Sequence, residues 1–68
     1  MREIEIAGDM IRLGQLLKLS ALVDSGGEAR EFLLAGGVTV NGVPEARRGR
    51  QLHSGDVVVA AEQAIRVV

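Results

Sequence analysis

Two periodicities divide this chain. Arg2 to Ile6 alternates polar and apolar residues, the period of a strand with one face buried. From Met10 the spacing changes: Met10, Leu13, Leu16 and Leu17 share one side of a helix. Arg12, Gln15 and Lys18 fall together on the other side at about 100° per residue. Asp9 stands where such a helix takes its N-cap. Gly14 weakens the helix by roughly 1 kcal/mol relative to alanine, which predicts a short one.

A second helix has a stronger start signal. Ser25-Gly26-Gly27-Glu28 has the form of a capping box, in which hydroxyl and carboxylate satisfy orphan backbone donors. Ala29, Phe32 and Leu33 form the buried stripe, Leu34 lies off it beside Arg30, and Gly36-Gly37 ends the helix. The period then returns to two. Val38-Thr39-Val40, Asn41-Gly42 and Val43 spell a hairpin, because Asn-Gly accepts the positive φ angles of a type I′ turn. Pro44 has no N–H for a ladder, which predicts an edge strand. Ser54-Gly55-Asp56 marks another turn, Val57-Val58-Val59 a strand, and Ala64 to Val68 a last one. The expected order is β-α-α-β-β-β-β, an α+β domain with two helices packed on one face of a small, mostly antiparallel sheet.

Composition narrows the function classes. Sixty-eight residues hold one hydrophobic core, so residues 1–68 read as a single domain. The absence of cysteine excludes a disulfide framework, a thiolate zinc site, an iron–sulfur cluster and a cysteine nucleophile. The lone histidine, His53, leaves metal sites to carboxylates, and no cofactor is expected. Arg2, Glu3 and Glu5 stand where a signal peptide needs an apolar stretch, and the apolar run Val57 to Ala61 is too short to span a bilayer. A cytoplasmic monomer with no membrane contact is the expectation.

Net charge at first argues against a nucleic-acid partner: eight Lys+Arg against nine Asp+Glu give −1, whereas dedicated binders are usually basic. The distribution reverses that argument. Residues 1–10 carry Arg2 against Glu3, Glu5 and Asp9, while 46–53 carry Arg47, Arg48 and Arg50 with no acid among them. All the basic residues but Lys18 are arginine, suited to forked contacts with phosphate.

In Arg47-Arg48-Gly49-Arg50 the glycine permits close backbone approach while the guanidinium groups engage a phosphate chain. As a solvated loop the run would do no more than guard an edge strand. Like charges without an interleaved acid repel one another, which favours the functional reading. Gly26-Gly27 at a helix start has the form of a phosphate cradle, but Asp24 and Glu28 flank it, and ordinary capping is the stronger reading. His53-Ser54-Gly55-Asp56 holds the residue types of a hydrolase triad, yet neighbours in one tight turn do not converge as a triad must. Phe32 is the single aromatic residue and sits on a core stripe. Stacking of unpaired bases on an aromatic platform is therefore unavailable, and recognition of nucleic acid would work through phosphates, sugars and shape.

Four segments resemble a known family in order and spacing. They are Arg12-Leu13-Gly14-Gln15-Leu16-Leu17-Lys18, Ser25-Gly26-Gly27-Glu28-Ala29-Arg30, Val38-Thr39-Val40-Asn41-Gly42, and Gly55-Asp56 with its valine strand. Together they are similar to the RNA-binding domain named after small-subunit ribosomal protein S-four, also called the αL motif. The likeness covers almost the whole chain. The Gly-Gly-Glu-Ala-Arg start and the Arg-Arg-Gly-Arg run resemble the small stand-alone bacterial members, the YaaA and YbcJ types. The resemblance implies RNA held across the two helices and the adjoining hairpin. It implies that Arg12, Lys18, Ser25, Arg30 and Asn41 lie on or near that surface, with Arg47, Arg48 and Arg50 extending it. Two positions depart from the family: it commonly has aspartate where Gly14 stands, and a basic residue after the serine where Gly26 stands.

The function expected is non-catalytic binding of structured RNA, ribosomal or transfer RNA, with the ribosome as the setting. An alternative is a protein-interaction module docking an acidic partner, because carboxylate and phosphate attract the same guanidinium fork. A sulfur-carrier-like β-grasp protein is a further alternative. Such carriers act through a C-terminal Gly-Gly, against Ile65-Arg66-Val67-Val68 here. An enzyme is disfavoured, since no acid, base and nucleophile are set to converge.

Overall fold

Alternate burial along the strands determines how the sheet is used. In the computed structural model, which describes residues 1–68, the chain runs β1 (Arg2–Ile4), β2 (Ile11–Arg12), α1 (Leu13–Leu19), α2 (Gly26–Leu34), β3 (Thr39–Val40), β4 (Val43–Pro44), β5 (Gln51–Leu52), β6 (Val57–Ala60) and β7 (Gln63–Val67). Val58 and Ala60 of β6, and Ile65 and Val67 of β7, are buried, while Val59 and Arg66 between them are exposed. One face of the sheet therefore enters the core and the other meets solvent. Leu13, Leu16 and Leu17 of α1 and Ala29 and Leu33 of α2 complete one contiguous core of 14 buried residues with those strands. The chain is an α+β fold with two helices and a mostly antiparallel sheet.

The main sheet has the order β1-β7-β6-β3-β4. β1 runs parallel to β7, with Glu3 opposite Arg66, and the other pairs are antiparallel. The β3–β4 hairpin turns on Asn41 (φ 51°) and Gly42 (φ 83°), as the Asn-Gly pair requires. Pro44 lies on the edge strand, where its missing N–H costs no ladder bond.

Three elements differ from expectation. The strands β2 and β5 add a separate two-stranded ladder, Ile11 opposite Leu52 and Arg12 opposite Gln51, to the expected element order. Two-residue strands carry no periodicity to read, because they are shorter than one alternation. Helix α1 starts at Leu13, not behind Asp9, since the ladder holds Ile11 and Arg12 extended. Its first turn is capped by backbone from a distant loop: the N–H of Leu13 donates to the Arg50 carbonyl at 2.8 Å and that of Gly14 to the Arg48 carbonyl at 3.0 Å. Met10, expected on the apolar face of this helix, is 37% exposed outside it. Finally, β6 and β7 turn on Ala61 (φ 50°) and Glu62 (φ 64°), a left-handed pair without glycine or asparagine.

Helix α2 begins as expected. The Ser25 hydroxyl accepts the N–H of Glu28 at 3.1 Å. The Glu28 carboxylate accepts from the N–H of Asp24 at 3.3 Å, one residue earlier than in a strict capping box. Phe32 is half-buried against the core, as its stripe position implies. No helix is long and apolar enough to cross a membrane.

Candidate functional site

The β2–β5 ladder and the carbonyl caps bring the loop 45–50 against the start of α1. Between that loop, one side of α1 and the first turn of α2 lies an open concavity of about 400 Å³, lined by Arg12, Gly14, Gln15, Lys18, Gly26, Arg48 and Gly49. Three of these residues are cationic, three are glycine, and none is acidic or hydrophobic. Gln15 and Lys18 are exposed on the outer side of α1, and Arg12 precedes them at helical spacing. An Nη1 hydrogen of Arg12 is donated across the rim to the Gly49 carbonyl at 2.9 Å. Arg48 reaches the other way, donating from Nη1 to the Gly26 carbonyl of α2 at 3.0 Å.

The other two loop arginines have a different environment. Glu45 lies one residue outside the acid-free stretch 46–53, and its side chain is only 9% exposed. It accepts from Nε and Nη2 of Arg47, both at 3.1 Å, and from Nη1 of Arg50 at 3.0 Å. Backbone N–H groups of Ala46 and Arg47 add two further bonds at 3.1 Å. Hydrogen bonds from the Arg47 side chain, then from Arg50 and the Arg47 backbone, hold the Glu45 carboxyl down at about 2, against an ordinary 4.5. The three arginines are thus not an unscreened run of like charge, as their sequence stretch alone suggests. One carboxylate partitions them, and sequence windows drawn from residue 46 exclude it.

The remaining candidates do not line the concavity. Arg30 is exposed beside Leu34, Ala46, Arg47, Arg48 and Gly49 on a neighbouring groove. Ser25 caps α2 through its hydroxyl. Asn41 bridges the hairpin to the β6 turn, donating to Asp56 at 3.0 Å and accepting the Val57 N–H at 2.9 Å. Asp56 in turn accepts the His53 N–H at 2.8 Å. These two bonds, that from Asn41 foremost, lower its carboxyl from the ordinary range. His53 to Asp56 is a hydrogen-bonded turn, with Gly55 at φ 97°. No group of three or more His, Cys, Asp or Glu side chains is placed to hold a metal ion.

Sequence reasoning placed Gln15 on the face of Arg12 and Lys18 and Gly49 among the loop arginines without counting either as a site residue, and it did not single out Glu45. The shared helical face is the signal that could have included Gln15. The role of Glu45 depends on the fold of the loop and has no periodic trace.

A family model described as S4 domain matches residues 4–68. The protein of Bacillus subtilis (strain 168) named "Probable ribosome maturation protein RlbA" is 53% identical over 55 residues, covering 81% of this chain and 78% of that protein. A tyrosine–tRNA ligase of Burkholderia lata is 36% identical over 56 residues, 82% of this chain but 14% of the ligase.

Proposed function

This chain belongs to the S4 domain family, and on that premise we propose that it binds structured RNA, ribosomal or transfer RNA, without catalysing a reaction. The observation that carries the reading is the acid-free concavity holding Arg12, Lys18 and Arg48 between the two helices and the loop. An A-form helix presents phosphates and 2′-hydroxyls across a shallow groove, and a compact cationic surface reads that shape without aromatic stacking. Arg30 extends the surface along the neighbouring groove, Arg47 and Arg50 hold the loop through Glu45, Ser25 caps α2, and Asn41 joins the hairpin to the β6 turn. The relative named as a ribosome maturation protein supports ribosomal RNA as the first ligand to try, in the cytoplasm.

Fluorescence anisotropy with ribosomal RNA helices and matched duplex DNA, each at several salt concentrations, tests this. With about five phosphate contacts, log affinity falls with log salt at a slope of roughly −3.5 to −4.5, with RNA preferred over DNA. A slope near zero, or capture of a protein partner that survives ribonuclease, would shift the reading to a module docking an acidic protein.

A further inference from the structure

Gly14 is a glycine in a place that does not demand one for backbone reasons. It lies in the first turn of α1 and is absent from the residues with positive φ, so alanine would suit the helix better. Space explains it instead. A Cβ at position 14 would lie 2.5 Å from Cγ of Arg48 and 3.3 Å from its Cδ, closer than carbon atoms approach without repulsion. The Arg48 stem therefore crosses α1 in contact with bare backbone. Its far end meets a second glycine: a Cβ at Gly26 would stand 3.4 Å from Nη1, the atom that donates to the Gly26 carbonyl. The two helices thus form a seat for one arginine delivered by a loop.

We infer that Gly14 is a positioning residue, glycine so that Arg48 can lie in this seat, and that Arg48, of the three loop arginines, is the one that engages RNA phosphate. The inference rests on the RNA-binding reading above. Arg47 and Arg50 have their charge paired with the Glu45 carboxylate, to which they give two donors and one respectively, and neither lines the concavity. Arg48 uses one Nη1 hydrogen on Gly26 and keeps its remaining donors for a ligand in the concavity it lines. Fixing the stem along the helix removes rotamer freedom before binding, so less is lost on contact.

The test measures RNA affinity for wild type, Gly14→Ala, Arg48→Ala, Arg47→Ala and the Gly14→Ala, Arg48→Ala double variant, with thermal unfolding of each. Gly14→Ala changes no charge, yet it is expected to weaken binding roughly three- to ten-fold, about as much as Arg48→Ala, and to make the salt slope shallower by about one phosphate contact. The double variant should lose no more than Arg48→Ala alone, and Arg47→Ala should change affinity by less than about two-fold. Full affinity in a folded Gly14→Ala protein, additive losses in the double variant, or a loss at Arg47 equal to that at Arg48 would each overturn the inference. A second readout needs no RNA: the Arg48 Nε–Hε NMR resonance should move toward the free-arginine position in Gly14→Ala, and an unchanged resonance overturns the seat. Wild type that binds no RNA overturns the underlying reading, and is recognised because every variant then behaves alike.

Discussion

Arg47 and Arg50 lie within three residues of Arg48 in sequence, yet they belong to a different electrostatic unit. The pair shares the carboxylate of Glu45 at 3.0–3.1 Å, whereas Arg48 joins Arg12 and Lys18 around a concavity with no acid in its lining. The first unit is a structural clamp that holds the loop in shape. The second keeps charge uncompensated toward solvent. A charge run in sequence is therefore a poor measure of available charge, and the fold decides which members remain free.

Substituting the two units in turn should separate them. Arg12→Ala with Lys18→Ala is expected to reduce RNA affinity roughly ten- to a hundred-fold at low salt and to flatten the salt slope by about 1.4–1.8. Arg47→Ala with Arg50→Ala should affect affinity much less and stability more. If both double variants lose affinity equally in salt titrations, the division between the units is wrong.

The clamp has its own signature. Glu45→Gln removes the ionic acceptor and is expected to destabilise the fold by about 1–2 kcal/mol, a fall of roughly 4–16 °C in Tm for a domain of this size. Because the Glu45 carboxyl is held at about 2 in the fold against an ordinary 4.5, its contribution is complete above about pH 4.5. It drains away as pH falls toward 2. Asp56, also lowered, adds loss in the same direction. Acid titration of Tm should be shallower for Glu45→Gln than for wild type, and identical profiles would show that the carboxylate does not act as described.

A milder change provides the control. Replacing Ala61-Glu62 by Asn-Gly at the β6–β7 turn relieves two left-handed residues and should raise stability by about 1 kcal/mol. RNA affinity should stay as it was, since neither residue lines the concavity. A changed affinity would mean that global stability, not the unit of Arg12, Lys18 and Arg48, governs binding.

The parts legible in the sequence were those with local causes. The Asn41-Gly42 turn was legible because its residues accept the φ angles it needs. Helix α2 was legible because Ser25 and Glu28 announce it. The cationic face of Arg12 and Lys18 was legible from helical spacing. What escaped has distant causes. The Ala61-Glu62 turn is imposed by the register of β6 on β7, not by its own residues. The start of α1 is set by carbonyls of Arg48 and Arg50, more than thirty residues away. Gly14 looked like a defect in a helix, because the side chain that occupies its space comes from the loop. Glu45 looked unremarkable, because its partners gather only when the loop closes.

The bonds from Leu13 and Gly14 to Arg50 and Arg48 also have a consequence in time. They join the beginning of the chain to its last third, so the concavity has no partial precursor. A nascent chain emerging from a ribosome carries Arg12 and Lys18 long before Arg48 exists to complete the surface. Such long-range contacts form late, after their loop-closure entropy has been met. Completion of the cationic surface therefore waits until synthesis has passed residue 50, because a shorter chain lacks both the Arg48 side chain and the carbonyls that cap α1.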